Sequence, residues 1–174
     1  RREHMCTSNL EHLNTGTKGL SDGTLASHSL LGDVLLAAKY EAKNIKELYE
    51  KNKDQSGHEV ICRAVRYSFA DIGDIIKGTD LWIDDVGEKK TQGNLVKIFE
   101  KIKEKLDETS KNKYKKSDDK HLDLRKDWWE ANRDQIWEAM TCDLKSGSFP
   151  CSDKTTPHED YIPQRLRWMT EWAE

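Results

Sequence analysis

LRKDWWEANRDQIWEAMTC, residues 124–142, carries Trp129, Ile136, Trp137 and Met140 at offsets of seven, eight and eleven positions, the spacing of one helical face. Three of the six tryptophans, Trp128, Trp129 and Trp137, fall within ten residues. Each aromatic side chain of this kind buries roughly 150–250 Å², so the stretch predicts the helix on which the core condenses. Other segments must supply its far wall. Trp82, Trp168 and Trp172 are assigned to the same structural core, with Trp82 anchoring a polar turn and Trp172 ending a last helix.

A chain of 174 residues is long enough for one sizeable core. Hydrophobic and charged residues each make up 35% of it, which argues for long amphipathic helices with wet outer faces. We therefore expect an all-α, long-helix bundle with extended loops. A net charge of -3 gives no electrostatic case for nucleic-acid binding. With no run of eighteen apolar residues, no membrane insertion by this chain is expected. The ending RWMTEWAE reads as a helix interrupted in mid-course, as in a piece of a longer protein.

Working outward, residues 1–29 read as an ordered wrapping segment pinned by Leu10, Leu13, Leu20 and Leu25. From Leu30 to Glu50 a stripe of Leu31, Val34 or Leu35, Ala38, Ala42, Ile45 and Leu48 predicts a long helix capped by Ser29. Ile61, Val65, Phe69, Ile72 and Ile76 predict a second, stopped at Gly78. A third is expected from Asn94 through Leu95, Ile98 or Phe99, Ile102 and Leu106. Asp123 is the expected cap of the tryptophan-bearing helix, residues 145–160 should be nonhelical, and a last helix follows Pro163.

Catalytic chemistry does not assemble. GDIIKGTD lacks the Gly-Lys-Ser/Thr ending and preceding strand of a phosphate loop. Asp80, Asp84 and Asp85 miss the calcium-loop spacing, because Trp82 stands at the third position and Thr91 at the twelfth. Cys142, Cys151 and His158 are too widely separated for a common structural zinc site. There is no HExxH pattern, no nucleophile elbow and no base beside Cys62. No enzyme activity, cofactor or metal is expected.

The charged segment 107–120 has almost no aliphatic anchors and reads as an exposed insertion or a frayed helix end. Within it, KNKYKK sets Lys111, Lys113, Lys115 and Lys116 around Tyr114, the candidate ligand-binding residues. Such a patch suits a sulfated glycan or an acidic protein surface. A plain solvated loop is the competing reading, since Asp118 and Asp119 follow at once.

RREHMC at 1–6, CRAVRYSFADIGDIIKGTDLW at 62–82, RKDWWEANRDQIWEAMTC at 125–142 and DYIPQRLRWMTEWAE at 160–174 resemble, in this order, the Duffy-binding-like adhesion domain. The branch they resemble is the erythrocyte membrane protein 1 type variant surface adhesin of Plasmodium falciparum. The resemblance implies a cysteine-stabilised helical domain on the outer face of the infected erythrocyte membrane, part of a larger membrane-anchored protein. Residues 1–159 would be the first subdomain region and 160–174 the start of the next.

Four cysteines allow three two-disulfide connectivities. The resemblance favours Cys6 with Cys62 and Cys142 with Cys151. It implies a host cell-surface protein receptor or a sulfated glycan as partner, with serum protein, antibody and neighbouring adhesin domains also allowed. Trp129, Arg133 and Trp137 match the scaffold signature and are expected to pack rather than touch a receptor. The competing function is a structural spacer for a neighbouring adhesion domain, with no receptor affinity of its own.

Overall fold

A computed structural model describes residues 4–16, 23–51, 58–114, 117–142 and 155–173. They form α1 (Gly23–Lys51), α2 (His58–Lys77), α3 (Val86–Lys105), α4 (Glu108–Lys113), α5 (Leu122–Thr141) and α6 (Gln164–Trp172), with 3₁₀ turns at Ser8–His12 and Glu159–Tyr161. No strand occurs among the described residues, so the bundle is all-α. Central in it is α2, buried on every side from 67 to 76. It packs on α1, α5, the Glu159–Tyr161 turn and α6, while α1 also meets α3 and α5.

The tryptophan helix supplies the other half of the core. Trp129, Ile136, Trp137 and Met140 are buried, and the Phe69 ring of α2 lies 5.2 Å from Trp129 and 5.3 Å from Trp137. Gly73 makes this approach possible, since a Cβ there would stand 2.8 Å from Trp129 Cζ2. Gly78, at φ +76°, ends α2 in the left-handed conformation that glycine adopts without steric cost.

Several boundaries differ from expectation. The first helix starts at Gly23 rather than after Ser29, because Ala26 extends the buried stripe and Ser27 Oγ accepts from Trp128 Nε1 at 3.0 Å. Leu25, in that helix, is exposed. Leu10 and Leu13 are buried, whereas Leu20 lies outside the described residues.

Asn94 is interior to α3, whose cap is Asp85: its carboxylate accepts from the Glu88 amide at 3.0 Å. The buried stripe runs through polar Glu88 and Thr91 before reaching Leu95, which is why its first turns escaped an apolar count. His121, at φ 56°, occupies the N-cap position of α5 instead of Asp123. Asp118 serves the cap by accepting from the Asp123 amide at 3.1 Å.

Two tryptophan assignments are corrected. Trp82 is 37% exposed and Trp172 is 95% exposed, so neither is core, while Trp168 is half-buried. The expected pairing is likewise corrected: Cys6 is a free thiol while Cys62 is disulfide-bonded, so the Cys6–Cys62 bond is not formed. The Cys142 thiol donates to the Ala139 carbonyl at 3.2 Å, and Cys151, its expected partner, lies outside the described residues. Buried Glu41 fastens the N-terminal segment instead. Its carboxylate accepts from the Cys6 amide at 2.8 Å and from Ser68 Oγ at 2.7 Å, joining that segment to α1 and α2.

Candidate functional site

The basic segment is partly ordered by its neighbours. Asp107 caps α4 by accepting from the Ser110 amide at 2.9 Å, so six residues of the expected loop become helix. Lys111 Nζ lies 3.0 Å from Glu108, and Lys113 Nζ lies 2.5 Å from Asp127 on α5. Tyr114 Oη donates to the same Asp127 oxygen at 2.9 Å.

The Lys113 hydrogen bond holds the Asp127 carboxyl below its usual range. Burial, then Asp127, pushes the Tyr114 phenol up. Lys111 and Lys113 therefore have internal counter-ions, which reduces the charge they offer to a ligand. Lys115 and Lys116 lie outside the described residues.

A second cluster locks the scaffold. Asp160 Oδ2 accepts from Trp129 Nε1 at 2.8 Å and Arg133 Nε at 2.9 Å, and its Oδ1 accepts from Arg133 Nη2 at 2.7 Å. Arg133 also donates to the Pro157 carbonyl and lies over the Tyr161 ring at 4.9 Å. Burial works against the Arg133 charge, but the Asp160 hydrogen bond and attraction outweigh it and raise its pKa.

Alongside it, Arg167 Nη2 donates to Asp71 and Asp74, each at 2.5 Å, and Gln164 Nε2 donates to Asp80 at 2.7 Å. These bonds tie α6 to α2. Sequence reasoning gave Arg133 a scaffold role but missed Asp71, Asp74, Asp160, Gln164 and Arg167. Buried charge without apolar periodicity leaves no signal until the elements are brought together.

A cleft of about 410 Å³ opens between the end of α2, the first half of α3 and the start of α5. Arg125 lines it, although only 1% exposed. Its Nε donates to the Ile76 carbonyl at 2.6 Å, and its Nη2 donates to the Ile75 carbonyl at 2.9 Å and to Gln92 Oε1 at 2.6 Å. Burial, with no carboxylate in salt-bridge contact, lowers its pKa to about 10. Among the described residues no group of three His, Cys, Asp or Glu side chains is placed to hold a metal.

The remaining surface feature is apolar. Leu81, Ile83 and Val86 are exposed before and at the start of α3, and Leu166, Met169 and Trp172 on α6. Leu81 and α6 are neighbours, because the Leu81 amide donates to Gln164 Oε1 at 2.7 Å. No helix among the described residues is long and apolar enough to cross a membrane.

Residues 1–167 match the Duffy binding domain family. The Duffy receptor of Plasmodium vivax (strain Salvador I) is 31% identical over 181 aligned residues, covering 99% of this chain and 15% of that protein. A PfEMP1 DBLβ domain solved bound to human ICAM-1 is 58% identical with a TM-score of 0.83, covering 99% of this chain and 39% of the solved one. A second DBLβ domain bound to ICAM-1 is 49% identical at the same TM-score of 0.83, covering 100% of this chain and 43% of the other. The chain thus spans 15% of the curated relative's length and about two fifths of each solved domain.

Proposed function

The chain belongs to the Duffy binding domain family, and on that premise we propose that it is part of a cytoadhesion module through which a variant antigen on infected erythrocytes grips a host-cell receptor. The observation that carries this reading is the 58% identity, across 99% of the chain, to a domain solved bound to human ICAM-1. A receptor protein of the ICAM-1 kind is accordingly the partner proposed. The module acts from the extracellular face of the infected cell.

Residues 1–159 form the first subdomain region in this reading, and 160–174 begin the next. Support for that division comes from α6, which is tied to α2 by Arg167 yet leaves Leu166, Met169 and Trp172 uncovered. The sulfated-glycan reading rests on Lys111, Lys113, Tyr114, Lys115 and Lys116. The internal pairs of Lys111 with Glu108 and of Lys113 with Asp127 weaken it.

Surface plasmon resonance over immobilised ICAM-1 ectodomain tests the proposal, using this chain and a version extended by the remainder of the homologous domain. Saturable binding by either supports adhesion. No response from both, with each folded by circular dichroism, supports the spacer reading instead.

A further inference from the structure

Arg125 departs from the other buried arginines. Arg133 and Arg167 are matched to carboxylates, whereas Arg125 makes no salt bridge and donates only to two backbone carbonyls and one amide oxygen. The carbonyls of Ile75 and Ile76 belong to the last turn of α2, where the helix dipole favours a cation. This accounts for Nε and Nη2. Nη1 makes no hydrogen bond within the protein, and the side chain, though 1% exposed, lines the cleft.

The cleft beside it has the volume of a small-molecule pocket. Ile83, Val96 and Leu122 give it apolar walls, and exposed Lys89 and Lys120 add positive charge to its lining. Two acids limit what enters. Glu88 already accepts from Gln92 Nε2 at 2.7 Å and Asp80 from Gln164 Nε2 at 2.7 Å, so each is partly compensated. A dianion would still face both.

We infer that this cleft is a binding site for a single carboxylate carried on a short apolar body, with the Arg125 Nη1 edge as the anion contact. Arg125 is preorganised for this by its three hydrogen bonds and by Phe99, whose ring centroid lies 5.9 Å from Cζ. Little side-chain entropy is lost on binding. The same chemistry is offered by a free aliphatic acid and by a glutamate flanked by apolar residues in a protein partner. The inference does not depend on the ICAM-1 reading.

The test follows the Arg125 guanidinium resonances by ¹⁵N NMR while hexanoate, its uncharged analogue hexanamide, or the capped peptide Leu-Glu-Leu is added. Gly93→Leu places an apolar side chain in the cleft while leaving Arg125 itself unchanged, and no atom lies within 4 Å of a Cβ at Gly93. Saturable shifts with hexanoate or the peptide but not hexanamide are expected. One charge-assisted contact obstructed by Gly93→Leu should weaken binding about tenfold or more. The tighter carboxylate identifies the source. Equal responses to hexanoate and hexanamide, no response to either carboxylate, or undiminished binding by folded Gly93→Leu would overturn the site.

Discussion

Gly73 sets how closely α2 and α5 approach. A methyl group there meets Trp129 Cζ2 at 2.8 Å and Cε2 at 2.9 Å, and Trp129 cannot easily yield because Asp160 and Phe69 hold its indole. Gly73→Ala gains about 1 kcal/mol of helix propensity but overpacks the core by roughly 1–3 kcal/mol. Urea unfolding should show a net loss of stability, and a gain would mean that Trp129 moves freely. Arg133→Met strands the Asp160 carboxylate, which is fully buried, and should cost about 3–5 kcal/mol in the same measurement. Adding Asp160→Asn should recover part of that loss. Recovery of none would place the cost in lost packing over Tyr161 rather than in the unpaired charge.

Among the elements, α4 is held to α5 by an exposed ion pair between Lys113 and Asp127. Asp127 has its pKa lowered by Lys113, so this contribution is present above the unfolded value near 3.9 and is lost as pH falls through the lower folded value. Amide exchange in α4 should therefore accelerate below about pH 4 while α2 stays protected. Asp127→Asn should produce the same change at neutral pH. Exchange in α4 that ignores both would remove Asp127 as its anchor. Such short-range devices were only partly legible in the sequence. The Asp85 cap was hidden because the α3 stripe begins on Glu88 and Thr91, and the Asp118 cap because His121 holds the left-handed position that starts α5.

For the whole molecule, the apolar periodicities of α2 and α5 were readable because each buries a continuous face. The exposure of Trp82 and Trp172 was not, since composition cannot say which tryptophan finds a partner. Nor were the contacts of Arg167 with Asp71 and Asp74, which join residues 96 and 93 positions apart through the packing of α6 on α2. The candidate glycan site illustrates the same limit, because Lys113 of KNKYKK looks unopposed until Asp127 is placed beside it. If they do bind sulfated glycan, Lys111→Ala with Lys113→Ala should lower a salt-sensitive response on a glycan array, and an unchanged response removes them. The central claim is adhesion to a host receptor, and the direct measurement is attachment of beads coated with the extended domain to cells that display ICAM-1 and to matched cells that lack it. Selective attachment to the ICAM-1-bearing cells, competed by soluble ectodomain, is predicted. Equal attachment to both cell types, or none with a folded domain, would contradict it.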